Sequence, residues 1–421
     1  MSNERQPAAA PRPDGRTPPA AWAALADENR FWSLMCFVVA AVAVFKGAHL
    51  PNLWSATQAQ IDYSQGLVKR GLFGAVAHWL GVPIGHYSVF AAVSVAILAA
   101  FLAALGFFLA RSPLARSAAG KTLLAVYLSS VSLTYFAHCV GYFDVLLAIF
   151  PLVVASRRRW GAGFAAAAAL AAVGVLVHEL YLVAFLPVSL LGLLLDAIEA
   201  PPALRRRRLA ALAGLCLGAV GLACVVSIGA PLAGESLTNL IEQVRSQADF
   251  EPQPNYFEVM NRSLVDCLWE VRTIWTTAFF WGQLLPNLLL LLPAEALFFA
   301  VGRRLLRRRL DGPWLKAAAG ATIVVVASPL LLYVIGRDHT RWSAWASYCG
   351  LLARAIVAAR SPGADAGPPV SMPERRLCLL LMSLNMAAGA YTLDGAKLAH
   401  YPFVEGLGEV ARWLASLWAR H

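Results

Sequence analysis

The thirteen residues from Asp62 to Gly74 combine one acid, two bases and three glycines. Glycine lets a backbone approach a ligand closely, Arg70 offers a planar fork for a phosphate group, and Lys69 adds a mobile positive charge. Asp62 is a residue type that can accept a proton from an attacking hydroxyl. The segment therefore indicates anion handling beside a general base. The alternative is an interfacial helix in which Lys69 and Arg70 only reach lipid headgroups.

Two further acids lie within or at the end of apolar runs. Asp144 precedes Arg157 by thirteen residues, which is roughly 20 Å along a helix. A carboxylate buried in hydrocarbon costs about 2.5–3.5 kcal/mol, and such residues usually face a cavity or a partner. The neighbouring residues His178 and Glu179 close a later apolar run, and either one can face a polar site. The segment that begins at His178 lacks the second histidine of the HExxH metalloprotease motif. For Asp144 the alternative is a helix cap or an ion pair with an arginine.

A polar segment follows the apolar run at 314–335, and it contains Asp338 and Arg341. Arginines in such a segment can clamp a phosphate or pyrophosphate. The alternative is a charged loop in which Asp338 neutralises Arg341. Trp342 and Trp345 are expected to hold the following helix at the membrane interface.

No metal motif occurs in the sequence. Asp62, Asp144 and Glu179 carry suitable ligand atoms, but neither a calcium-binding loop nor a paired Asp-x-Asp is present. The expected cofactor content is therefore none, with a divalent metal left open because no spacing supports it.

The composition places these residues in a membrane. The 421 residues are 59% hydrophobic and 14% charged, with a mean hydropathy of +0.61, which is too apolar for a soluble enzyme. The net charge of +11 does not indicate a nucleic-acid partner, because the basic residues cluster between apolar runs. The sequence predicts an all-α polytopic protein of about eleven membrane spans. The candidate windows are 31–50, 87–110, 122–140, 143–156, 161–177, 180–198, 209–231, 274–301, 314–335, 343–360 and 377–393.

The distribution of basic residues predicts the orientation. About two thirds of Lys and Arg fall in alternate loops on the side of the N-terminus, which the positive-inside rule assigns to the cytoplasm. Residues 1–30 are expected to be a disordered cytoplasmic tail, and residues 31–400 the transmembrane domain. Its long outer loops are 51–86 and 232–273, of which the second is expected to pack over the site as a lid or side wall. Residues 401–421 are expected to form an interfacial amphipathic helix.

With an inside N-terminus, about eleven spans and acids at Asp62 and Asp144, the chain resembles GT-C-type membrane glycosyltransferases, mainly over residues 31–232. The resemblance implies a GT-C-like helical bundle, a sugar donor linked to polyprenyl phosphate, and a glycan or lipid acceptor among membrane lipids. It also implies an active face directed outward, here from a bacterial inner membrane. Asp62 would be the base and Asp144 an acid that orients the acceptor. Arg341, Lys69 and Arg70 would contact the carrier phosphate.

Three other functions remain open. A polysaccharide polymerase resembling those of O-antigen synthesis would use the same outer arginines. An ion-coupled transporter or flippase would use Asp144, Glu179 and Glu295 as coupling groups, although Glu295 is also placed to pair with the arginines near 303. A non-catalytic membrane protein would tolerate loss of all of them. The enzymatic hypothesis requires Asp62, Asp144, Glu179 and Arg341 to line one cavity.

Overall fold

Helices form all the regular secondary structure in the residues that the computed structural model describes. These residues are 28–157, 159–228, 235–262, 264–307, 310, 312–334, 336, 338–360, 370–387, 408 and 411–415.

The helices of the first half of the chain are α1 (Glu28–Gly47), α2 (Leu53–Ala59), α3 (Leu72–Trp79), α4 (Tyr87–Arg111), α5 (Ala118–Leu128), α6 (Val131–His138), α7 (Phe143–Ala155), α8 (Trp160–Val177), α9 (Tyr181–Ala184), α10 (Leu186–Ile198) and α11 (Pro202–Ile228). Those of the second half are α12 (Glu235–Gln247), α13 (Pro254–Asn261), α14 (Leu264–Ile274), α15 (Ala278–Leu306), α16 (Gly312–Leu330), α17 (His339–Arg360) and α18 (Met372–Ala387). Short 3-10 turns occupy Pro113–Arg116 and Leu331–Val334.

Within the described residues, each apolar window of the sequence coincides with a helix or with a helix that is broken once. Within the described ranges, six segments are long and apolar enough to cross a bilayer. The chain is therefore an all-helical membrane protein. The six segments are Glu28–Gly47, Tyr87–Arg111, Trp160–Val177, Tyr181–Ile198, Pro202–Ser227 and Gly312–Val334.

The predicted window at 122–140 is a broken helix. α5 ends at Leu128, and α6 restarts with Ser130 as its cap, whose hydroxyl accepts a hydrogen bond from the Ser132 amide at 3.3 Å. The turn into α7 depends on Gly141, which has a φ of +92°. A Cβ atom there would also collide with the Pro51 side chain, so only glycine suits this turn.

α17 forms the buried centre of the bundle, where it packs on α6, α10, α15 and α16. Its residues from His339 to Ala358 are all buried. The prediction that Trp342 and Trp345 lie at the membrane interface was wrong, since they are 3% and 0% exposed. Trp345 instead contacts the Phe185 ring, with ring centroids 5.0 Å apart. The bundle covers this helix on all sides, and hydropathy alone does not reveal that.

A second, smaller core joins the two long loops. The first loop contains α2 and α3, and the second contains α12, α13 and α14. Their contact buries aromatic and aliphatic side chains from both loops, which removes apolar surface from water. The second loop therefore packs as a side wall on the first. The buried members are Ile61, Val68, Leu240, Val244, Tyr256, Phe257 and Met260.

The two ends of the bundle carry different residues. α7 runs from Asp144 towards Arg157, and α17 runs from Arg341 to Arg360. Because Asp144 contacts Arg341, both helices start at the same end, which we call the Asp144 end. α1 begins at Glu28, inside the tail predicted for residues 1–30. The rest of that tail, and most of the helix predicted at 401–421, lie outside the described residues.

Candidate functional site

Asp144 and Arg341 form a buried ion pair at the Asp144 end. The Arg341 Nη2 donates to Asp144 Oδ1 at 2.6 Å, and the Tyr135 hydroxyl donates to Oδ2 at 2.8 Å. The Asp144 side chain is fully buried and that of Arg341 is 9% exposed. Asp144 also occupies the first turn of α7, where the helix dipole favours a negative charge. The carboxylate is therefore neutralised and hydrogen-bonded on both oxygens.

Other groups hold the Arg341 guanidinium in place. Its Nη1 contacts Asp338 Oδ2 at 3.4 Å, one helical turn away. The Trp342 and Trp345 rings lie 5.0 and 4.8 Å from its central carbon, within cation–π range. Its Nε is buried and has no hydrogen-bond partner among the described residues. Arg341 is thus a fixed, enclosed cation.

A second ion pair joins the first loop to the segment between α8 and α9. The Arg70 Nη2 donates to Glu179 Oε1 at 2.8 Å, and its Nε donates to Oε2 at 3.3 Å. This two-pronged geometry is the strong form of an arginine–carboxylate contact. Arg70 has a φ of 64°, an uncommon backbone conformation for a residue other than glycine. Tertiary contacts with Glu179 therefore hold a local conformation that the chain would not choose alone.

The two ion pairs are close enough to influence each other. Burial lowers the pKa of His178, and the positive charges of Arg70 and Arg341 both add to that effect. Burial also acts to lower the pKa of Arg70, but the charge of Glu179 outweighs it and leaves the pKa raised. We call Arg70, Glu179, Arg341 and Asp144 the charge cluster.

The Arg70–Glu179 pair predicts a dependence of stability on pH. Burial acts to raise the pKa of Glu179, but Arg70 outweighs it and holds the pKa well below the ordinary value. A depressed carboxyl pKa stabilises the fold above the unfolded pKa of about 4.3, and the contribution is lost as pH falls towards the folded pKa. We expect the melting temperature of the wild type, followed by fluorescence in detergent, to fall below about pH 4.3 more steeply than that of Glu179→Gln.

The exposed acid Glu258 provides the control. Glu258→Gln should keep the wild-type slope, whereas equal slopes for the wild type and Glu179→Gln would contradict the role of the pair.

Asp62 lies in a different contact set within the first loop. Asp62 is 6% exposed. Oδ1 accepts hydrogen bonds from the Ser64 amide at 3.0 Å and the Ser64 hydroxyl at 2.5 Å. Oδ2 accepts from the Gln243 amide of the second loop at 3.2 Å, and Gln243 also contacts Ser64 at 2.7 Å. Side chains from both loops therefore fix the orientation of this acid.

Asp62 lines a cavity of about 330 Å³ whose wall has both polar and apolar side chains. None of the four members of the charge cluster lies in its wall. Asp62 therefore lines this cavity without Asp144, Glu179 or Arg341, which take part in the two ion pairs instead. The lining residues are Gln60, Asp62, Gly74, His78, Gly81, Val82, Pro83, Ile84, Gly85, His86 and Gln247.

The remaining candidates of the first loop make structural contacts. The Lys69 Nζ donates to the Arg262 carbonyl at 3.1 Å, which ties the two loops together. Gly74 packs so closely on the Ile61 carbonyl that a Cβ atom would collide with it. The absence of a side chain at Gly74 thus serves loop packing.

Tyr135 and Gln243 were missed by sequence reasoning. Tyr135 holds Asp144 across nine residues, and Gln243 reaches Asp62 across 181 residues. Tyrosine in an apolar helix and glutamine in an amphipathic one are ordinary, so no pattern marks them. Only the packing of the helices shows that they touch the acids.

In the part of the chain that the structure describes, no three His, Cys, Asp or Glu side chains are grouped closely enough to hold a metal ion. Comparisons with family models, with curated proteins and with solved structures found no match.

Proposed function

We propose that the chain is a membrane glycosyltransferase that moves a sugar from a polyprenyl-phosphate carrier to a hydroxyl group of a glycan or lipid acceptor. The observation that supports this proposal is Asp62. It is a buried carboxylate held by Ser64 and Gln243 on the wall of a cavity. Such a carboxylate suits a general base, because its geometry is set before the substrate arrives.

The cavity provides the groups that a hydroxyl-rich acceptor needs. Gln60, His78, His86 and Gln247 offer hydrogen-bond donors and acceptors around Asp62. Each carboxylate oxygen has more than one lone pair, so Asp62 can still accept the hydrogen of an acceptor hydroxyl. The acceptor oxygen then bonds to the sugar carbon, the sugar–phosphate bond breaks, and the proton goes to Asp62. Base catalysis of this kind contributes roughly 10²- to 10⁴-fold.

The charge cluster has a supporting role in this proposal. Each of its arginines already donates to a carboxylate at 2.6–2.8 Å. Arg70 therefore positions the first loop against Glu179, and Arg341 joins α17 to α7. Neither presents an uncommitted guanidinium fork to a carrier phosphate.

The finer topology is part of the same proposal. We infer about eleven spans in a GT-C-like bundle, with the N-terminus in the cytoplasm of a bacterium and the Asp144 end outside the inner membrane. The support is the distribution of arginines, since Arg157 and Arg360 lie at the end opposite to Asp144. A polysaccharide polymerase would use the same acid and cavity with a longer glycan donor.

The test is a transfer assay with purified protein in liposomes. Polyprenyl-phosphate sugars are supplied as donors together with lipid and glycan acceptors, and products are separated by mass. We expect a product with the wild type and a large loss of product with Asp62→Asn. Absence of product with every donor, from protein that melts cooperatively, would contradict the proposal.

An ion-coupled transporter is the second candidate, and Glu295 on α15 favours it. Glu295 is 8% exposed, its carboxylate packs against Gly350, and neither oxygen has a hydrogen-bond partner among the described residues. The expected pairing with the arginines near 303 does not occur in that part of the chain. The charge of Arg354 acts on this carboxylate without a hydrogen bond between the two side chains. A buried acid without a hydrogen-bond partner is costly when ionised, and such acids often bind protons in transporters.

Infrared spectroscopy tests this second candidate. If Glu295 couples proton movement, the carbonyl band of a protonated buried carboxyl should vanish reversibly as pH rises, and it should be absent in Glu295→Gln. Glu258→Gln should retain the band. A spectrum of Glu295→Gln identical to that of the wild type at every pH would contradict ion coupling through Glu295.

A further inference from the structure

A group of arginines lies at the end of the bundle opposite to Asp144, where α11 begins and where α7 turns into α8. α8 and α11 meet there, because the Arg208 guanidinium of α11 lies 5.1 Å from the ring of Trp160, the first residue of α8. Four of the arginines are exposed, and none of these four makes an ion pair in the described part of the chain. We call the group the arginine patch: Arg157, Arg159, Arg205, Arg206, Arg207 and Arg208.

Two members of the patch are held by the bundle. Arg205 donates to a carbonyl just before α11 at 3.1 Å, and its central carbon lies 4.3 Å from the Trp314 ring of α16. Arg208 donates to the Asp196 carbonyl at 2.9 Å and lies over Trp160. Both ring distances are within cation–π range. Because Arg205 and Arg208 are turned towards neighbouring helices, the exposed arginines between them, Arg206 and Arg207, face outwards.

The positive charge of the patch is not balanced by the acids beside it. Asp196 and Glu199 precede α11, but both already take part in other contacts, Asp196 with Arg360 at 2.9 Å. The amino end of a helix also carries a partial positive charge, so arginines in the first turns of α11 are unfavourable without an anion. In the described part of the chain, no carboxylate supplies that anion to Arg206 or Arg207.

The length of α11 places these arginines in the headgroup layer of the membrane. The helix has 27 residues, which is about 40 Å, whereas the hydrocarbon core is about 30 Å thick. The twenty residues Leu209–Ile228 carry no charge and are long enough to cross that core. The first turns of α11, which contain Arg206 and Arg207, therefore lie outside the hydrocarbon, at the depth of lipid phosphates.

The exposed arginines share a face of α11 with side chains that meet lipid. Leu217 is 73% exposed and Val225 is 58% exposed, in a segment that crosses the membrane. Leu217 follows Arg206 by about three helical turns, and Val225 follows Arg207 by about five turns. Each arginine thus lies directly in line with an apolar side chain on the lipid-facing side. A lipid packed along this face would have its phosphate beside Arg206 and Arg207.

We propose that the arginine patch binds the headgroup phosphate of an acidic phospholipid, whose acyl chains lie along the exposed face of α11. An acidic lipid is favoured over a neutral one because the patch has a surplus of positive charge, which attracts anionic headgroups. A lipid is favoured over a soluble anion because the apolar face of α11 continues from the arginines. The guanidinium fork suits the oxygens of a phosphate. Such binding does not depend on sugar transfer or on Asp62.

The experiment counts bound lipid. Purified full-length protein in detergent is titrated with phosphatidylglycerol or with phosphatidylcholine of the same acyl chains, and the bound lipid is measured by native mass spectrometry. We expect the wild type to bind phosphatidylglycerol about fivefold or more tightly than phosphatidylcholine. The double variant Arg206→Gln with Arg207→Gln should bind phosphatidylglycerol roughly thirtyfold more weakly, from about fivefold for each arginine. Its binding of phosphatidylcholine should not change.

Two further double variants are the controls. Arg303→Gln with Arg307→Gln removes the same charge from exposed arginines at the end of α15, and it should bind phosphatidylglycerol as the wild type does. Arg206→Lys with Arg207→Lys keeps the charge and should retain most of the binding. All three variants change exposed side chains and should keep the melting temperature of the wild type. If the glutamine variant at 206 and 207 binds phosphatidylglycerol normally, or if the control at 303 and 307 loses as much, the proposed site is wrong.

A third probe distinguishes a lipid from a soluble phosphate. Glycerol 3-phosphate carries the same phosphate chemistry without acyl chains, and it should bind far more weakly than phosphatidylglycerol, since burial of the chains adds affinity. Equal binding of these two probes would overturn the lipid assignment in favour of a soluble phosphate. Equal binding of phosphatidylglycerol and phosphatidylcholine would overturn the role of charge.

Discussion

Replacing Asp62 by asparagine is expected to lower the transfer rate by roughly 10²- to 10⁴-fold, because an amide cannot accept the proton of the acceptor hydroxyl. The fold should persist. The asparagine oxygen can still accept from Ser64, and its amide can donate to Gln243 once the Gln243 side chain turns over. The measurement is the initial rate of product formation in liposomes, together with the melting temperature in detergent.

Glu258→Gln is the matched control for Asp62→Asn, since it removes an exposed acid from the second loop. It should retain the wild-type rate. A rate for Asp62→Asn within about threefold of the wild type would remove the general base from the proposal, because base catalysis typically supplies far more. Loss of cooperative melting would instead assign Asp62 a structural role.

Replacing Arg341 by methionine is expected to lower the free energy of unfolding by about 3–5 kcal/mol, because it leaves the Asp144 carboxylate buried without its cation. Asp144 is fully buried, and Arg341 supplies one of its two described side-chain partners, at 2.6 Å. The measurement is equilibrium unfolding in mixed micelles, or the melting temperature if unfolding is irreversible.

The double variant Arg341→Met with Asp144→Asn should recover much of the loss, since it leaves neither charge of this pair buried without the other. Arg360→Met is the matched control. Arg360 donates to Asp196 at 2.9 Å, but these side chains are 17% and 25% exposed, so water reaches the acid left behind and the loss should be smaller than for Arg341→Met. Equal losses for Arg341→Met and Arg360→Met would show that burial of the Asp144 pair does not matter.

The broken helices and the buried tryptophans show a limit of hydropathy. The apolar windows located the helices well. A run of about 20 apolar residues is unfavourable in water, so it must lie in lipid or in the protein interior. They did not distinguish α17, which the bundle encloses, from helices such as α4, which is 22% buried over its apolar window. An apolar side chain is stable both in lipid and in a protein interior. The sequence therefore did not reveal that Trp342 and Trp345 are buried in the protein.

In the candidate site, too, the sequence predicted some features and not others. The acids and arginines were recognisable because ionisable groups in apolar surroundings are costly and few. The sequence did not show how they pair, since Arg70 and Arg341 could each have paired with Asp144 or with Glu179. Packing decided that Arg70 meets Glu179, 109 residues away, and that Arg341 meets Asp144, 197 residues away.

Membrane insertion, helical structure and the residue types able to do chemistry follow from the sequence by itself, because they depend on local apolarity and on charge. The tertiary structure decided which ionisable groups neutralise each other and which acid faces a cavity. It also turned Arg206 and Arg207 of α11 away from the bundle. Those outcomes depend on contacts between helices far apart in the chain, and no local pattern encodes the relative rotation of two packed helices.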